Sequence, residues 1–67
     1  MRFEVEFDHE DDGRWIAEIV NLPGAMAYGE TKEMALAAVE AIALRAVAER
    51  LETHHESLKA SIEFACA

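Results

Sequence analysis

The 67-residue sequence has one cysteine, one proline and three glycines, and only six of its residues are Lys or Arg. A lone thiol, Cys66, cannot build a disulfide framework, which needs pairs. The six basic residues face 14 acidic ones, for a formal charge of −8. That deficit argues against nucleic acid as a direct ligand, because phosphate contacts draw on Lys and Arg. No run of about 18 apolar residues exists, so no membrane-spanning helix is expected. The opening stretch MRFEVEFDHE alternates charge with apolar residues and lacks the greasy centre of a signal peptide. No internal repeat and no low-complexity tract occurs. The chain therefore reads as a single soluble domain over residues 1–67, cytoplasmic, with a basic protein as its natural complement.

What is present is enough apolar residue, 52%, to exclude a disordered acidic tail. A domain of this size buries only about 60% of its unfolded surface, so its core is thin. With no disulfide to staple it, self-association is an expected support.

Arg2 to Asp8 alternates strictly, with Phe3, Val5 and Phe7 on one face and charged residues on the other, as a half-buried strand does. Asp12-Gly13 then signals a hairpin, since glycine accepts positive φ. Arg14 to Val20 returns, with Trp15, Ala17 and Ile19 on the core face. Ile16 and Val20 flank Glu18 opposite, a face more apolar than solvent alone requires. Pro23-Gly24 predicts a type II turn, and Ala25 to Tyr28 a third short strand closed by Gly29.

Thr31 is the predicted N-cap of a helix from Lys32 to about Thr53, roughly 33 Å long, with Glu33 favoured in its first turn. Leu36, Val39, Ala43, Val47 and Leu51, with Leu44 beside them, form its expected core stripe. The apolar surface extends well beyond that stripe, and a helix apolar on most of its circumference is usually buried on more than one side. In so small a domain the second side implies another chain, with Met34, Ala38 and Ile42 as the expected oligomer interface. After a polar break at Thr53–Ser57, Leu58 to Ala65 alternates again as a fourth strand. The fold class is α+β in the order β-β-β-α-β, with the last strand able to join the sheet in parallel after the helical crossover.

The residues carry no catalytic constellation. The acidic turn Asp8, Glu10, Asp11, Asp12 lacks the spacing and distal Glu of a calcium loop, so it reads as a solvated tip or a docking surface for Lys and Arg, not as a metal site. His54 and His55 diverge by about 100° on a helix and cannot chelate one ion together. Cys66 lies outside any shaped pocket, and an incidental thiol is the expectation. Trp15 belongs mostly to the core. Tyr28, at the end of a short strand, is a candidate partner contact along with Asp8, Glu10, Asp11 and Asp12. No enzyme activity, cofactor or metal is expected.

The run Asp12-Gly13-Arg14-Trp15-Ile16-Ala17-Glu18, the turn Leu22-Pro23-Gly24, and Tyr28-Gly29-Glu30-Thr31 opening an Ala-rich helix together resemble the HicB-like antitoxin family. The resemblance spans residue 1 to about residue 53, with the final strand consistent. It implies a β-β-β-α-β unit like a truncated ribonuclease H core, without that enzyme's activity. It also implies a function: binding and occluding a basic, HicA-like toxin that cleaves mRNA. Many members carry a C-terminal DNA-binding domain, whereas this sequence stops after the fourth strand, so operator binding is not part of the expectation. The alternative is a self-associating structural or regulatory subunit with no toxin partner.

Overall fold

The computed structural model describes residues 1–67 in the order β1 (Arg2–His9), β2 (Trp15–Ile19), β3 (Met26–Gly29), α1 (Lys32–His54) and β4 (Glu63–Cys66). The four strands form one sheet in the order β3-β2-β1-β4. β1 and β2 pair antiparallel, as do β2 and β3, while β4 joins β1 in parallel. The expected meander, helix and parallel return strand are all present. α1 packs on one face of the sheet, over β2 and β3, and the opposite face has no second layer.

Local chemistry explains each junction. Glu10 N–H donates to the Arg14 carbonyl and Gly13 N–H to the Glu10 carbonyl, closing the hairpin around Asp11-Asp12 with Gly13 at φ +92°. Ala25 N–H donates to the Leu22 carbonyl, with Gly24 at φ +85° as the type II turn requires. Asn21 extends the sheet beyond the end of β2. Its side chain accepts from Glu4 N–H at 2.9 Å and donates to the Arg2 carbonyl at 2.8 Å, standing in for a strand neighbour of β1. Thr31 caps α1 as expected, its hydroxyl accepting from Met34 N–H at 3.1 Å. At the other end His55 takes the left-handed conformation and its N–H closes on the Leu51 carbonyl.

Two expectations need correction. The fourth strand begins at Glu63, not Leu58, because the register sets Glu63 beside Arg2, the first residue of β1. Residues 58–61 lie past the end of β1 and find no ladder partner, although Leu58 still packs against the core. The expected inward stripe of the helix holds at Val39, Ala43 and Val47, but its first fully buried position is Ala35 and not Leu36. Ala35, Val39 and Ala43 are fully buried and Val47 nearly so, whereas Leu36 and Leu51 are half-buried flanks and Leu44 is exposed. The reason lies at Gly29. A side-chain carbon there would fall 2.8 Å from the Met34 carbonyl carbon and 2.9 Å from Ala35 Cα, and closer still to the Ala35 nitrogen. The first turn of α1 thus rests on the backbone of β3, with Ala35 fully buried at the contact.

The core comprises nine buried side chains, all apolar: Phe3, Val5, Ala17, Ile19 and Ala25 from the sheet side, with the four from α1. Phe3 stacks on Phe64 of β4 at 5.4 Å. The 23-residue helix overhangs the short strands, so the molecule is elongated at 43 × 19 × 17 Å. Its radius of gyration, 12.9 Å, exceeds the ~11 Å of a compact chain this long.

Candidate partner-binding face

The uncovered face of the sheet is set by strand alternation. Outward-pointing residues of β1 are Arg2, Glu4, Glu6 and Asp8, and those of β2 are Ile16 and Glu18, with Val20 just beyond. β3 contributes Met26 and Tyr28. Register lines them up across the strands: Asp8 beside Ile16 beside Tyr28, and Glu6 beside Glu18 beside Met26. The face is thereby divided. The β1 side is a stripe of carboxylates, and the β2–β3 side is apolar apart from Glu18, with Val20, Met26 and Tyr28 each about half exposed. Between them runs a groove of about 300 Å³ lined by Glu6, Asp8, Glu10, Ile16, Glu18 and Met26.

Glu6 and Glu18 are direct cross-strand partners. Like charges so placed weaken a sheet, and no basic side chain forms an ion pair with either one. The cations near this face are engaged elsewhere. Arg2 pairs with Glu63 at 3.3 Å. Arg14 donates through Nε to Asp12 Oδ2 at 2.8 Å, and its guanidinium lies over the Tyr28 ring at 4.5 Å.

Among the acidic residues singled out from sequence, Asp8 and Glu10 reach the groove and Asp11 stands exposed at the hairpin tip. Asp12 has a structural task. The Arg14 N–H donates to its carboxylate, and the Arg14 side chain adds a second hydrogen bond and its charge, which together hold Asp12 below its ordinary 3.8. A depressed carboxylate supports the fold above its unfolded value, so this contribution is complete above about pH 4 and fades as pH falls further. Tyr28 borders the apolar half, one ring face under Arg14. Glu6 and Glu18 were not singled out. Alternation put both on the polar face, but only the register shows that they meet.

The opposite, inner corner near the hairpin is cationic and aromatic. His9 stacks on Trp15 at 4.4 Å, and Lys32 Nζ sits 4.7 Å above Phe7 and 5.6 Å above Trp15. Trp15 is half-buried there, its ring stacked on by His9 and faced by the Lys32 ammonium. Of the expected oligomer residues, Met34 is exposed, Ala38 is half-buried, and Ile42 packs against the chain's own core. His54 ends the helix, His55 caps it, and Cys66 is a free, exposed thiol. No three His, Cys, Asp or Glu side chains converge as a metal-ligand set, and no helix is long and apolar enough to cross a membrane.

Fold and face together define a small two-layer α+β domain with an open sheet face, half acidic and half apolar. The chain belongs to the UPF0150 family: it is 33% identical over 58 residues to the UPF0150 protein Ta0767 of Thermoplasma acidophilum, a match covering 87% of this chain and 83% of that protein. No family model matches the chain, and no solved structure matches it significantly.

Proposed function

We propose that this protein is an antitoxin-type inhibitor that docks its open sheet face on a basic protein, a HicA-like mRNA-cleaving toxin, and covers its RNA-binding surface. The observation that carries this reading is the uncovered groove in which four carboxylates, those of Glu6, Asp8, Glu10 and Glu18, border half-buried Ile16 and exposed Met26. An acidic rim steers a cationic surface into place, and the apolar half excludes water once contact is made. Occlusion of this kind needs no chemistry from the chain and no cofactor. The HicB-like pattern of Asp12-Gly13-Arg14-Trp15, Pro23-Gly24 and Gly29-Glu30-Thr31 supports the same conclusion. A toxin acting on mRNA would place the pair in the cytoplasm.

The test is association kinetics with a small basic HicA-like protein. Binding should be fast at low salt and slow steeply as salt rises. Glu6→Lys with Asp8→Lys should cut the on-rate about tenfold or more while leaving the fold intact. Absence of binding at low salt, or an on-rate indifferent to the double reversal, overturns the proposal.

A further inference from the structure

The side of α1 that faces away from the sheet carries an order that the chain's own core does not use. Met34, Ala37, Ala41, Leu44 and Ala48 recur at intervals of three and four, the a/d spacing of a helix that pairs with another helix. Met34 and Leu44 are 53% and 46% exposed, Ala37 and Ala48 are exposed, and Ala41 is half-buried. The inward stripe Ala35, Val39, Ala43, Val47 lies on the other side of the cylinder. This explains why the helix is apolar nearly all round: two separate stripes share it.

We infer that the seam is a dimer interface whose occupant is the same helix of a second copy, lying parallel and in register. Charge decides the orientation. Glu40 and Arg45 flank the seam on opposite sides, five residues apart, and neither forms an ion pair within the chain. In a parallel pair Glu40 of each copy meets Arg45 of the other, twice over by symmetry. An antiparallel pair centred on Ala41 would bring Glu40 against Glu40. The three alanines let the backbones approach to about 8 Å. The helix is already held by its own sheet, so pairing carries no cost of helix formation.

Area agrees with the assignment. The chain exposes 4749 Å², about 500 Å² more than a typical monomer of its mass. An interface of about 1,000 Å² in total, the least a specific one needs, would take about a tenth of the surface of each copy. Pairing through the helices leaves both open sheet faces on the outside, so this inference stands independently of the toxin reading. Its salt dependence is opposite as well. Two chains of charge −8 repel, so added salt tightens the dimer while it loosens a complex with a basic partner.

Sedimentation or light scattering at about 100 µM should give twice the 7.5 kDa chain mass. Leu44→Glu, at an exposed position, should raise the dimer dissociation constant at least about tenfold with the helical spectrum unchanged. In a Cys66→Ser background, Met34→Cys should form a disulfide-linked dimer under mild oxidation, since in-register parallel helices bring the two residues 34 within the roughly 4.4–6.8 Å Cα span of a disulfide. A 7.5 kDa mass for the wild type up to about 1 mM, or a dimer untouched by Leu44→Glu, overturns the interface. Failure of Met34→Cys to cross-link in a dimer that Leu44→Glu does disrupt overturns the parallel register.

Discussion

The two faces of the sheet obey different rules. On the inner face Phe3, Val5, Ala17 and Ile19 are buried to 7% exposure or less, and each is there because folding requires it. On the outer face, positions one residue along the same strands hold Glu4, Glu6 and Glu18 beside exposed Val20 and Met26. Folding alone favours neither the exposed apolar residues nor a Glu6–Glu18 pair. A surface that departs from folding's own preferences while the other side satisfies them is the one on which the proposed docking rests.

This contrast can be broken from the inner side first. Gly29→Ala should have the largest effect, because the added carbon meets the Met34 and Ala35 backbone, which no rotamer change can move aside. The helix must lift off β3, at a cost of about 3 kcal/mol, read as a lowered denaturant midpoint. A change under about 0.5 kcal/mol would mean that the helix end is not docked on β3. Asn21→Ala comes next. It leaves Glu4 N–H and the Arg2 carbonyl without their side-chain partner. Both groups lie at an exposed site where water can substitute, so the expected loss is about 1 kcal/mol. An unchanged midpoint would mean that the sheet does not depend on this clamp.

Much of the frame was legible in the sequence because its signals are local. Alternation in Arg2–Asp8, the Asp12-Gly13 and Pro23-Gly24 turns and the Thr31 cap each depend on a few adjacent residues. Val39, Ala43 and Val47 were legible as the middle of the inward stripe, but the burial of Ala35 was not, for a physical reason. Alanine is small enough to be buried or exposed, so an Ala-rich helix does not announce its core face, and the Gly29 contact that seats Ala35 on the sheet is tertiary. The start of β4 depended on where its partner strand ends. The candidate site was legible only in part. Asp8 and Glu10 were found by their charge, but Asp12 could not be set apart without seeing Arg14 bound to it. Glu6 and Glu18 took their meaning from register alone.

The outer face offers the smallest stability effect and the most telling one, because its sign is reversed. Glu18→Gln keeps the size of the side chain and removes one of two opposed charges on neighbouring strands. The isolated chain should gain a few tenths of a kcal/mol, where most substitutions lose stability. Raising the salt concentration should erase the gain, since screening already weakens the repulsion at this exposed pair. The same substitution should slow association with a basic partner, because it removes a carboxylate from the groove. Stability and binding would then move in opposite directions at one residue. A Glu18→Gln chain that is less stable at low salt would make Glu18 part of the folding set after all, and the division between the two faces would no longer hold.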